Sequence, residues 1–341
     1  MNASLRICQP VRPGGHIRVI SPGMPTLAQL PERAQRAEAA LADLGFTVSL
    51  GRHAAAVSAD GTKAGSAEQR AHDLMEAFAD PAVDAVLCAD AGMGSAELLD
   101  FLDPGVFTAS SKPLIGYCDN VFINQYLAST ARLSSLYGCT FMAHLGEADG
   151  PFTETLDYLL RALDSTTPLE CAPVASRTGE FVNWYIPGHE ARRRHRTVAG
   201  GWTWLRPGAA RGPLVGGEIR LLPELAERFA LTFGGAVLFW HLAFKAPPPE
   251  PLFRKLCSSV DLTGLAGMVV GAHPDIPPHE WAAMLSDLLD DLLPDAEYPV
   301  VANADISHLD PAWTVPYGEQ VTLSSPATLS FERGCSHVPR G

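Results

Sequence analysis

Positive charge is scarce in this chain. Lysine and arginine together number 25 against 38 aspartates and glutamates, only 18% of the 341 residues are charged, and the formal net charge is −13. A protein that grips a nucleic-acid polymer neutralises phosphates with a basic face, so that class of partner is excluded. No stretch of about 18 consecutive apolar residues occurs, which excludes a membrane-spanning helix. The seven cysteines (Cys8, Cys88, Cys118, Cys139, Cys171, Cys257 and Cys335) are odd in number and form no CxxC pair. That pattern argues against both a zinc ribbon and a disulfide framework. With no charged-then-apolar leader at the start, the expectation is reduced thiols in the cytoplasm. His241, His273 and His308 show neither HxH nor HxxxH spacing, so no metal and no cofactor is expected.

What the chain has is apolar mass: 47% hydrophobic residues, with Gly 30 and Pro 28. That suffices for a buried core and for two domains rich in turns. Short β-rich runs alternate with helical spacing through the first half. HIRVISPG (16–23) reads as a strand and its turn, and residues 31–45 as a helix closed by Gly45. FTVSLG (46–51) is a second strand, and residues 66–80 form a helix capped by Ser66. VDAVLCAD (83–90) and PLIGY (113–117) are further strands, with helices over 96–103 and about 120–127. This alternation predicts an α/β fold: an N-terminal flavodoxin-like, doubly wound parallel sheet over 1–150. The pattern loosens over 151–211, read as an irregular linker or flap. A smaller C-terminal mixed β/α domain follows over 212–341, ending in two antiparallel strands within 319–332.

Ligand sites in such sheets form at the carboxyl ends of strands. Two turns fall there, AGMGS (91–95) and GYCDN (116–120). The second places Cys118 after a buried strand, where a nucleophile is held up at a helix start; a small apolar turn residue is the plain alternative. Arg192, Arg193, Arg194, His195 and Arg196 form the one basic cluster, read as a solvated loop or as a clamp on an anionic substrate group.

These pieces, in this order, resemble the LD-carboxypeptidase and microcin C immunity family of serine peptidases, its immunity-type branch above all. VRPGGHIRVISP (11–22), RAHDLMEAFADPAVDAVLC (70–88), AGMGSAELLDFLD (91–103), SKPLIGYCDN (111–120) and GPLVGGEIRLLPEL (212–225) carry the likeness. The resemblance implies a cytoplasmic, homodimeric enzyme with a Ser-Glu-His triad that cleaves amide bonds in small peptide-like compounds. Matching residue by residue, the serine position is Cys118. The histidine is His308, before Pro316-Tyr317-Gly318. The glutamate that closes the apolar strand is His241, after Leu238-Phe239-Trp240. Glu218 stands where the family's "G-G-N-L" has asparagine. The resemblance also implies an oxyanion hole from backbone N–H groups of the Gly92-Met93 turn and Asp119.

A thiol needs less activation than a hydroxyl, and a helix start or an imidazolium would lower its pKa. Cys118 with His308 is therefore expected to work as a pair, with Glu218 or His241 orienting His308, Glu218 being preferred. An acyl-thioester favours amines over water relative to an oxygen ester. The expected activity is acyl transfer from an amide or peptide-like substrate, by hydrolysis or by amide formation. The alternative is an inactive relative that sequesters a peptide-like or peptidyl-nucleotide compound. Trp184 and Trp202, with Trp204 and Tyr185 nearby, would stack a planar ring or simply pack the flap.

Overall fold

The computed structural model describes residues 5–325 and 328–333; Cys335 lies outside the described residues. Strands β1 (His16–Ile20), β2 (Thr47–Leu50), β3 (Ala85–Cys88), β4 (Leu114–Gly116) and β5 (Ser135–Tyr137) pair in parallel in the spatial order β2-β1-β3-β4-β5. That is the flavodoxin-like order, with its switch point between β1 and β3. Every residue of β3 and β4 is buried, as strands covered on both faces must be. The helices lie close to where the spacing puts them. Pro31–Asp43 ends before Gly45, whose φ of 87° suits only glycine there, and Ala67–Ala79 starts from a capping box in which Ser66 accepts from the Gln69 N–H.

The second half forms an eight-stranded sheet. Its strands are β6 (Leu169–Cys171), β9 (Thr203–Arg206), β10 (Ala209–Glu218), β11 (Val237–His241), β12 (Gly267–Gly271), β13 (Val300–Ala304), β15 (Gln320–Ser324) and β16 (Thr328–Phe331). A small ribbon pairs β7 (Ser176–Arg177) with β8 (Val198–Ala199). Strands β10 to β13 run parallel, and β11 and β13 are wholly buried. Gly216, with φ 152°, is required where β10 meets β11, since a Cβ would lie 1.7 Å from the Phe239 carbonyl oxygen.

Two departures from the sequence reading matter for the site. The stretch taken as irregular from residue 151 opens with a helix, Thr153–Leu163, whose Leu159 and Leu163 are buried, and β6 joins the second sheet. And β14 (Val315–Tyr317) leaves the second half to pair antiparallel with β5 at the edge of the first sheet. The loop from β13 to β14, which carries His308, therefore runs from one sheet to the other. No helix among the described residues is long and apolar enough to cross a membrane.

Candidate active site

GYCDN makes a sharp elbow. Gly116 closes β4, Tyr117 is extended, and Cys118 adopts φ 52° before the helix Val121–Tyr126 begins. A non-glycine residue in the left-handed region costs on the order of 1–3 kcal/mol unless its surroundings impose it. Here they do. Tyr117 N–H donates to Asn120 Oδ1 (3.0 Å), and Cys118 N–H donates to Tyr137 Oη (3.0 Å). Asn120 Nδ2 donates to Ser95 Oγ (3.1 Å), and Asp119 Oδ2 accepts from Ser95 N–H (2.7 Å). Gly116 is needed because a Cβ there would come within 2.7 Å of Asn120 Cβ. Asp119 and Asn120 thus tie the elbow to the glycine turn. In that turn Gly92 and Gly94 have φ 119° and 131°. Lys63 Nζ holds the Met93 carbonyl and Arg70 Nη1 the Gly94 carbonyl. The Met93 main-chain N–H has no acceptor among the described residues, and the Asp119 N–H meets the Cys118 sulfur, so both lie where donors to an oxyanion would.

His241 and His308 meet beside the elbow. Tyr117 stacks parallel on His241 (5.3 Å between centroids) and tilts against His308 (4.9 Å). His241 Nε2 lies 2.7 Å from Tyr137 Oη, and His241 Nδ1 lies 3.2 Å from His308 Nδ1. Hydrogen-bond accounting orders the protons. Tyr137 Oη already accepts from Cys118 and has one proton to give, so it donates to His241 Nε2. His241 must then carry its own proton on Nδ1 and donate to His308 Nδ1, which leaves His308 with Nε2–H. The reverse tautomer, in which His308 Nε2 is a base, either strands the buried Tyr137 proton, at about 1–3 kcal/mol, or brings both Nδ1 protons onto the Leu242 main-chain carbonyl that the two rings share. A carboxylate at position 241 would accept from both neighbours at once; an imidazole accepts only one of them.

Electrostatics agree with a neutral cluster. Burial pulls His308 down to about 3, helped by the nearby His144, and holds His241 well below the ordinary histidine range. Burial also pushes the Cys118 thiol far up, reinforced by the Glu218 and Asp119 carboxylates against the Asp119 N–H and Arg220. The expectation of a lowered thiol is therefore corrected: desolvation outweighs the helix start, and no imidazolium is present to oppose it. Among the described residues no hydrogen bond joins the Cys118 sulfur to either imidazole. The preference for Glu218 as the group orienting His308 is corrected too. Glu218 is buried, but its oxygens take the Arg220 N–H (3.0 Å) and Nε–H (2.8 Å), and His241 meets His308 instead. Alkylation of Cys118 by iodoacetamide, followed by mass mapping from pH 6 to 9, should rise close to tenfold per pH unit. A plateau below pH 7 would reveal a thiolate–imidazolium pair and refute the neutral cluster.

The remaining candidates separate. Trp184 is half-buried, with the Arg33 guanidinium 4.0 Å over its ring. Trp202 donates to Asp305 Oδ2 (3.3 Å) and packs edge-on against Trp313, a packing role rather than an open stacking face. The basic cluster divides: Arg192 and His195 are exposed, as in a solvated loop, yet each of its four arginines is engaged. Arg194 is buried between Glu147 (2.6 Å) and Asp310 (2.6 Å), Arg192 pairs with Glu180, Arg196 with Glu154, and Arg193 donates to the Ala148 and Gly150 carbonyls. One group among the described residues has metal-ligand composition, His53, His72 and Asp73, but both Asp73 oxygens are already bonded to His53. Tyr137, Tyr117, Ser95 and Arg220 escaped the sequence reading; only the Glu-x-Arg spacing of residues 218 and 220 gave any signal.

The LD-carboxypeptidase N-terminal domain profile matches residues 17–138, and the corresponding C-terminal domain profile matches residues 211–323. The chain belongs to the LD-carboxypeptidase family. It is 27% identical over 330 residues to a probable murein peptide carboxypeptidase of Bacillus subtilis, covering 95% of this chain and 93% of that one. It is 29% identical over 275 residues to a putative carboxypeptidase of Streptomyces coelicolor, covering 79% and 78%. Among solved structures, a MccF-like protein from Bacillus anthracis superposes with a TM-score of 0.85 at 25% identity, covering 96% of this chain and 99% of that one. The microcin C7 self-immunity protein MccF, in complex with aspartyl sulfamoyl adenosine, shares the fold with a TM-score of 0.83 at 20% identity, covering 96% and 98%. The family is one of hydrolases, and this member carries cysteine and histidine where the family resemblance leads one to expect serine and glutamate.

Proposed function

We propose that this family member is a cysteine-dependent acyl-transfer enzyme acting on an amide bond of a small peptide-like compound. The observation that carries the reading is the strained elbow: Cys118 is held at φ 52° by a network through Tyr137, Asn120 and Ser95, with the Asp119 main-chain N–H turned to its sulfur. A thiol with only a packing role needs none of this. In the reaction the sulfur attacks the amide carbon and a C–S bond forms. The sulfur's proton passes to His308 in its reversed tautomer and then to the departing amine as the C–N bond breaks. Met93 and Asp119 N–H groups hold the oxyanion. The thioester is released by an amine, giving a new amide, or by water. His241 and Tyr137 set the proton order. Trp184, backed by Arg33, offers aromatic surface to a planar part of the substrate, in keeping with relatives named for peptide and acyl sulfamoyl nucleoside ligands. A homodimer is carried forward from the same resemblance.

The test is intact-mass analysis after exposure to a panel of acyl amides, with and without amine acceptors. An acyl increment on Cys118, absent in Cys118→Ala, together with amide products when amines are present, is the expected result. The second reading, a sequestering protein without turnover, draws on the missing sulfur–imidazole bond. It takes over if no adduct forms on any panel member while the compound is retained stoichiometrically in equilibrium dialysis.

A further inference from the structure

Glu218 is a buried carboxylate that the acyl-transfer chemistry does not use. It ends β10, in register beside His241 at the end of β11. Its carboxylate is held by the Ala243 main-chain N–H and grips Arg220: Oε2 accepts from the Arg220 main-chain N–H (3.0 Å) and Oε1 from Arg220 Nε–H (2.8 Å). That contact fixes the plane of the guanidinium from behind. The Arg220 side chain is 44% exposed while Glu218 is fully covered, so the cation faces outward and its counter-charge is buried. The four N–H groups on Nη1 and Nη2 have no acceptor among the described residues. A guanidinium with its terminal nitrogens open is a fork for a planar anion. Because Glu218 pairs in register with His241, which meets His308, the Arg220 that follows β10 lies at the edge of the same site, and its charge is felt at the sulfur and both imidazoles. The other exposed cation near the site, Lys245, is engaged differently: its Nζ sits 4.4 Å over the Phe181 ring.

We propose that Arg220, braced by Glu218, is the specificity residue that binds a carboxylate of the substrate beside the bond attacked by Cys118. The proposal rests on Cys118 as the reacting group and assigns the pair Glu218–Arg220 a positioning-plus-recognition role: Arg220 touches the ligand, and Glu218 acts through Arg220. In a chain of net charge −13, a cation with its terminal nitrogens open gives selection for an anionic substrate against an otherwise unfavourable field.

The test uses affinity labels that need no turnover, so its failure is separable from failure of the acyl-transfer reading. Bromoacetyl-glycine and bromoacetyl-glycinamide place the same electrophilic carbon at the sulfur and differ only in the carboxylate. Saturation kinetics of Cys118 alkylation, read by mass, give KI and the limiting rate for each. The acid is expected to bind about tenfold or more tightly than the amide, with similar limiting rates, as a charge-assisted bidentate contact implies. Arg220→Met should abolish the ratio, Arg220→Lys should keep part of it, and Glu218→Gln should reduce it by loosening the fork. An acid-to-amide ratio that survives Arg220→Met, or one that disappears in Lys245→Met instead, overturns the assignment.

Discussion

His241→Glu will speed alkylation of Cys118 roughly 10- to 100-fold at pH 7.5. The expectation follows from the proton order at the site. With histidine at 241, the Tyr137 hydroxyl donates to Nε2, Nδ1–H donates to His308, and His308 is left with its outer nitrogen protonated. Making that nitrogen a base either strands one buried hydroxyl proton, at about 1–3 kcal/mol, or crowds two Nδ1 protons onto the Leu242 carbonyl. A carboxylate accepts from Tyr137 and from His308 Nδ1–H together, which removes that penalty. Its charge also favours the imidazolium, and an imidazolium favours the thiolate. The labelling rate with iodoacetamide, compared between wild type and variant, reads the effect. NMR of His308 should show its proton on Nε2 in the wild type and on Nδ1 in the variant. An unchanged labelling rate in a folded variant with the Nδ1 proton would mean that His308 does not act on the sulfur. Tyr137→Phe removes the same hydroxyl and should move the labelling rate in the same direction by a smaller amount, since no new charge is added.

Arg194→Ala will be the most destabilising single change outside the apolar core. Arg194 is buried, and its terminal nitrogen lies 2.6 Å from both Glu147 and Asp310. Arg194 is the largest of the influences holding the Asp310 carboxyl below the usual carboxylate range, against the opposing effect of burial. Removing one partner of a buried ion pair costs about 3–5 kcal/mol, because the remaining charge has neither water nor counter-ion. Urea unfolding should show that loss for Arg194→Ala. Replacement of Glu147 and Asp310 by glutamine and asparagine in the same chain should recover much of it. A loss below about 1 kcal/mol, the size of a surface pair, would show that water reaches the cluster. The sign with pH is fixed by Asp310: a depressed folded-state pKa stabilises above the unfolded value near 4 and that contribution is lost as pH falls through the folded value.

Much of the first half was legible because its signals are local. The strand and helix periods, the Ser66 cap and the Gly45 terminus each involve a few neighbouring residues, and the structure repeats them within two or three positions. The elbow was legible too, since Gly116, Asp119 and Asn120 serve one turn. What escaped depended on pairing between distant strands. Tyr137 reaches the Cys118 N–H because β5 runs beside β4 with Tyr137 in register with Gly116, and a three-residue strand carries no period of its own. Glu218 comes beside His241, and His241 faces His308, only once β10, β11 and the β13–β14 loop are assembled. The burial of Arg194 and the pairing of Arg196 were illegible because their partners Glu147, Glu154 and Asp310 lie from 42 to 116 residues away along the chain.

Strand β14 gives this architecture an unusual kind of suture. Because the closing edge of the flavodoxin-like layer is supplied from beyond residue 314, the chain fastens its two halves by main-chain pairing as well as by packing. Swinging the halves apart as rigid jaws would tear that seam. The two halves are therefore expected to stay docked while the thiol works, with any opening left to the loops around it and not to the sheets.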